Sequence, residues 1–321
     1  MLRGISAQPV SLVNSVINGE FRINQRGATS YSFADGAYTL DRWQILMNAS
    51  GGTNPAGSVS QQSFSPGQTE VPYEPSNYLR IANTSQGSSL GVGSYWVLSQ
   101  SIESVRTFAG QTITVRFWAR SSIANKTIGV NLLQNFGTGG SPVVPGAGQL
   151  VTLSSTWQQF SMTFVVPSIA SKTIGTDDCL RLQFWMQAGS SVASQAGAAI
   201  SWGGTGTIDI ANVVAMPGLS LPSRIEPRLV SQELDLCQRY YEEIQVTADG
   251  YLLAGTPINV FIPFKQNKRV GNPLCTQNPS TASNINLNAI FPNNSTAAYN
   301  ATIPATGVYS LVTVIKVSAE F

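Results

Sequence analysis

The spacing of apolar residues restricts the fold more than any other feature of the chain. Short runs rich in Val, Ile, Thr, Phe and Trp alternate apolar with polar positions, and clusters of Gly, Ser, Asn and Pro separate them along most of its length. Successive side chains of a strand point to opposite faces, so such runs specify half-buried strands joined by turns. The clearest are 112–120 (TITVRFWAR), 127–133, 159–166, 179–187 and 207–214, with 137–148 (GTGGSPVVPGAG) read as a long exposed loop. Many short strands without long helices predict an all-β sandwich or barrel.

One segment breaks the pattern. In 231–244 (SQELDLCQRYYEEI), Leu234, Cys237, Tyr241 and Ile244 recur at spacings of three and four, which predicts a single amphipathic helix. Ser231 is its expected N-cap, and Glu233 and Asp235 fall in the first turn, where carboxylates complement free amides. Glu242 and Glu243 then end the helix facing solvent. Upstream, Pro222 and Pro227 in 221–230 (LPSRIEPRLV) mark an interdomain connection. Further strands are expected over 251–264, 284–291 and 307–321. A chain of 321 residues suffices for more than one core. The expected organisation is an N-terminal arm (1–17), a large β domain (18–218), a linker with the helix (219–245) and a smaller C-terminal β domain (246–321). The arm has few turn signals and no obvious partner strand, and is read either as a docking element for other subunits or as a frayed terminus.

Composition narrows the function. Charged residues make up 11% of the chain, against roughly 25% in ordinary soluble domains, so the surface is polar but nearly uncharged. The net charge of +2 comes without any run of Lys or Arg, which argues against nucleic-acid binding. Cys179, Cys237 and Cys275 form no CxxC pair and are odd in number, which fits neither a disulfide framework nor a zinc site. No signal peptide and no 18-residue apolar run is seen, so membrane insertion is not expected and assembly in a reducing cytoplasm is. Histidine is absent, which removes the commonest general base and metal ligand.

Several phrases carry a family likeness. They are 18–27 (NGEFRINQRG), 38–43 (YTLDRW), 100–103 (QSIE) before the TITVRFWAR strand, 134–141 (QNFGTGGS), Trp157 with its following strand, 236–242 (LCQRYYE) and 317–321 (VSAEF). In that order they resemble the jelly-roll domains of tailed-phage tail-fibre and related virion proteins. The resemblance implies a carbohydrate-binding-module-like jelly-roll β-sandwich, followed by one short helix and the smaller β domain, on a virion. Modules of this kind often hold a structural Ca²⁺ between the first and last strands, and Glu20 and Asp209 occupy similar positions. Hard oxygen ligands suit that ion.

Strand alternation singles out two faces. In 112–120, Ile113, Val115, Phe117 and Ala119 share one face, and Thr114, Arg116, Trp118 and Arg120 the other. In 179–187, Leu180, Leu182, Phe184 and Met186 oppose Arg181, Gln183, Trp185 and Gln187. An indole beside Arg and Gln suits a sugar, whose C–H face stacks on the ring while its hydroxyls meet the polar groups. Trp118, Arg116, Arg120, Trp185, Arg181 and Gln183 are therefore the candidate glycan-binding residues. The competing reading is that both indoles pack under a loop or against a neighbouring subunit.

The leading expectation is a non-catalytic virion protein of tail-fibre or receptor-binding type, probing host-surface glycans as a homotrimer and joined to other virion proteins through its arm. A capsid decoration protein stabilising the shell is the alternative. Adjacent Asp177 and Asp178 face opposite ways in an extended segment and do not make an acid/base pair on one sugar bond, so no enzyme is expected.

Overall fold

The computed structural model describes residues 13–321, including every side chain except those of 278–281. Most of the arm, residues 1–12, lies outside the described residues. The chain is all-β with little helix, and its strands form four sheets. The first sheet contains β1 (Tyr31–Ser32), β3 (Ala56–Ser63), β4 (Asn77–Ser85), β6 (Thr112–Ser121), β10 (Gln158–Val165) and β12 (Gly206–Pro217), in the order β1-β3-β4-β12-β6-β10. The second contains β2 (Gln44–Asn48), β5 (Tyr95–Ile102), β7 (Thr127–Asn135) and β11 (Cys179–Ala188), ordered β2-β5-β11-β7, with the short β8 (Val144–Pro145) and β9 (Gln149–Thr152) both pairing with β7. From β4 onward the longer strands pass back and forth between the sheets, which is jelly-roll topology. All pairings are antiparallel.

The core lies between these two sheets and follows from the alternation. Ile113, Val115, Phe117 and Ala119 of β6 meet Leu180, Leu182, Phe184 and Met186 of β11, all fully buried. Phe117 and Phe184 touch edge-on across the sheets at 5.0 Å. Apart from Ala119, each such side chain contributes ~1.5–3 kcal/mol on burial. The described end of the arm is part of this body. Ser15 N–H donates to Ala215 O at 3.1 Å, Ile17 N–H to Gln100 Oε1 at 2.8 Å, and Val16 is buried in the core. Residues 13–17 thus dock on their own chain.

Two three-stranded sheets follow. One is ordered β13 (Tyr241–Leu252), β18 (Gly307–Ser318), β15 (Leu274–Ser283); the other β14 (Pro257–Pro263), β17 (Thr296–Thr302), β16 (Asn286–Pro292). They enclose a second core around Val246, Ile262, Tyr299, Leu311 and Ile315. Besides the single turn α1 (Ala193–Ala196), the helix is α2 (Val230–Gln238), shorter than the periodicity predicts. Leu229, not Ser231, precedes it, and Glu233 is buried against Arg228. Tyr241 opens β13 because twelve consecutive residues from it pair with β18, and that ladder overrides a helical period of similar apolar content. Glu242, expected at the surface, is fully buried with Lys268 Nζ at 2.6 Å.

Another buried cation gives a pH signature. Lys126 is 2% exposed, donates to the carbonyls of Met186 at 2.6 Å and Ser201 at 2.7 Å, and lies 5.1 Å from the Trp202 ring. Burial pulls its ammonium down to about 7. The unfolded value is ~10.4, so between these limits the unfolded chain keeps a proton that the folded chain has lost, and stability rises with pH. Between about pH 7 and about pH 8.5, wild type is expected to gain ~1–2 kcal/mol more than Lys126→Met, read from urea midpoints. Parallel pH dependences in the two proteins would contradict this.

Candidate functional site

The two candidate tryptophans do not share a face. Trp118 belongs to β6 of the first sheet and Trp185 to β11 of the second, and each points away from the common core, so they lie on opposite sides of the sandwich. Strand alternation predicts inside and outside correctly for each strand but not which sheet the strand joins.

Trp185 is closed in. It is 3% exposed, packs with Val97, Ala188, Ala196 and Ile200, and its indole N–H donates to Asn131 Oδ1 at 2.9 Å. The turn of Ser190–Val192 and α1 cover this side. Gln183 beside it is 5% exposed, opposite Ser99 and Asn131, while Arg181 is partly exposed one pair along. This side is interior in character.

Trp118 is different. Of six tryptophans, Trp43, Trp96, Trp157, Trp185 and Trp202 are buried, and Trp118 alone keeps a partly exposed ring. It lines a cleft of about 310 Å³ on the outer face of the first sheet, within the range of small-ligand sites. Register places Gln159 of β10 directly opposite Trp118. Arg116 stands two positions along β6 and donates to the Pro222 carbonyl, so the linker runs along one wall. Tyr73, 61% exposed, stands at the mouth with the Arg224 guanidinium 5.1 Å from its ring.

Ion pairs engage the charged groups of the cleft other than Arg116. Arg22 meets Glu20 at 2.8 Å, Arg224 meets Glu226 at 2.8 Å, and Arg228 meets Glu233 at 3.1 Å. Burial raises the carboxyl of Glu20, with Arg22 opposing. The net result is a wall of amides, paired charges and the Arg116 guanidinium around one indole.

Arg120 serves the scaffold. Its Nε donates to Asp209 Oδ2 at 2.9 Å while Arg80 takes both Asp209 oxygens, at 2.7 and 2.9 Å, and its guanidinium lies 4.8 Å from the Trp157 ring. Asp209 therefore has both oxygens committed to guanidinium groups, and Glu20 has Oε2 paired with Arg22. Glu20 is next to Gly19, whose carbonyl meets Val213 N–H. Each member of the expected calcium pair is thus paired with arginine, and among the described residues no group of three acidic or thiol side chains is arranged to hold a metal.

Sequence reasoning missed Gln159, Tyr73 and the linker wall. Gln159 becomes a neighbour of Trp118 only through register. Tyr73 did leave a signal: an aromatic in VPYEP, between prolines, has no strand to bury it.

Comparison with known proteins finds no matching family profile and no matching curated protein. Among solved structures, the chain is similar to a family 4 carbohydrate-binding module, with 20% identity over 63% of this chain and 98% of that one at a TM-score of 0.36. It is also similar to the enzymatically active domain of bacteriophage CBA120 tailspike protein 4, with 17% identity, 64% and 21% coverage and a TM-score of 0.35. A third is a cyclase from Fischerella sp. TAU, with 14% identity, 65% and 100% coverage and a TM-score of 0.41. These proteins differ in activity, and fold likeness of this degree leaves function to the site.

Proposed function

We propose that this chain recognises glycans without transforming them, and that the Trp118 cleft is where it does so. The observation that supports this most is that the one partly exposed indole lies in a cleft beside Gln159, Arg116 and Tyr73. A pyranose laid on Trp118 buries its C–H face, while Gln159 and Arg116 reach its hydroxyls as donors, and Gln159 also as acceptor. The paired carboxylates suit charge balance better than proton transfer, since each is held by an arginine.

The ordered landmarks support a place on a tailed-phage particle, in a tail-fibre or receptor-binding role, with homotrimeric assembly as the natural closed arrangement. Antibody labelling of the particle is expected at the tail tip; labelling at capsid three-fold positions would favour decoration of the shell. On a glycan array, wild type is expected to retain a restricted set of glycans and Trp118→Ala to weaken them at least ~tenfold, about 1.4 kcal/mol. Retention of no glycan by wild type, or undiminished binding by a folded Trp118→Ala, would overturn the reading.

A further inference from the structure

The sheet of β14, β17 and β16 turns an uncharged face away from the C-terminal core. None of its strands carries a charged residue, and the chain has none between Asp249 and Lys265 or between Arg269 and Lys316. Ile258, Val260 and Ile262 of β14 and Ala297, Tyr299 and Ala301 of β17 point into the core, so the alternate residues face outward. Register sets Phe261 and Phe291 both opposite Ala298, two strand spacings or ~10 Å apart. They remain 74% and 63% exposed. In the next row, Asn288 Nδ2 donates to Asn300 Oδ1 at 3.0 Å and Asn300 Nδ2 to Asn259 Oδ1 at 2.9 Å. A chain of amides thus crosses three strands beside a Phe-Ala-Phe row.

We propose that this face is a second glycan-binding platform, selective for neutral oligosaccharides and independent of the Trp118 cleft. The two rings offer stacking surfaces far enough apart to engage more than one sugar residue of a chain. Each amide of the row has donors and acceptors beyond the bonds just described, which matches hydroxyls that both give and take hydrogen bonds. Without charge, the face has no attraction for anionic sugars.

The test uses the full chain with ¹⁵N-labelled asparagine, titrated separately with cellohexaose, maltohexaose and xylohexaose. The side-chain amides of Asn259, Asn288 and Asn300 are expected to shift with at least one of them. Phe261→Ala/Phe291→Ala is expected to weaken that hexasaccharide at least tenfold, whereas Trp118→Ala leaves these shifts unchanged. The amide titration needs no variant, and both rings are too exposed for their loss to unfold the core. Silence of these amides with all three sugars overturns the proposal, as does a binding loss that follows Trp118→Ala instead. A sedimentation change from oligomer to monomer in the double variant also overturns it, by making the face a subunit interface. The Trp118 cleft stands or falls separately, on the glycan array.

Discussion

Glu320→Ala is expected to lower stability by ~3–5 kcal/mol, because it strands a buried cation. Arg42 is 1% exposed, with its guanidinium 3.4 Å from the Tyr240 ring, Nη2 donating to Ser101 O at 2.5 Å and Nη1 pairing with Glu320. Burial pulls this guanidinium down, and the Glu320 carboxylate together with Tyr240, Tyr38 and Cys237 more than offsets it. Around the pair, Arg26 stacks on Tyr241 at 3.9 Å, Arg269 on Phe321 at 3.9 Å, and Arg239 meets Glu103 at 2.8 Å. The cluster joins the jelly roll to the C-terminal sheets, so its loss should uncouple them. Urea unfolding is expected to show one cooperative transition in wild type and two in Glu320→Ala. Arg42→Met/Glu320→Leu is expected to recover most of the loss, since a buried pair replaced by apolar groups is often neutral. A loss below ~1 kcal/mol in Glu320→Ala would mean that Arg42 finds water in the folded state.

Trp185→Ala is expected to cost a further kind of stability, ~3–5 kcal/mol, through a cavity under α1. Its indole fills the space bounded by Val97, Ala188, Ala196 and Ile200, with Tyr95 edge-on at 6.3 Å, and truncation also leaves Asn131 Oδ1 without its donor. Glycan retention, measured at a temperature where the variant is folded, should be unchanged. The opposite pattern, a stable variant that has lost its glycan, would place the ligand on the second sheet.

These two predictions show where sequence was informative. Alternation in 112–120 and 179–187 assigned Phe117 and Phe184 to the core, where they meet. The same alternation grouped Trp118 with Trp185, because a period of two carries no information about which sheet a strand enters. Strands such as β3 (AGSVSQQS) and β17 (TAAYNAT) were illegible for a different reason: they are polar or small, and their place comes from ladder partners. Five of the familiar phrases meet at one spot. Arg26, Arg42, Glu103, Tyr240 and Glu320 come from five separate landmarks and converge on the interdomain junction. What these five encode is the joint between domains, whereas the cleft takes Asn18, Gly19, Glu20, Arg22, the TITVRFWAR strand and Gln159 of the strand after Trp157 from the landmarks and the rest of its lining from outside them.

The glycan cleft is tested most directly by ¹⁹F spectra of 5-fluorotryptophan-labelled protein, titrated with a glycan that wild type retains on the array. Six resonances are expected, one per tryptophan, with Trp118→Phe identifying its own. Shift or broadening confined to the Trp118 resonance is the predicted result. A response from Trp185 with Trp118 silent would contradict the account.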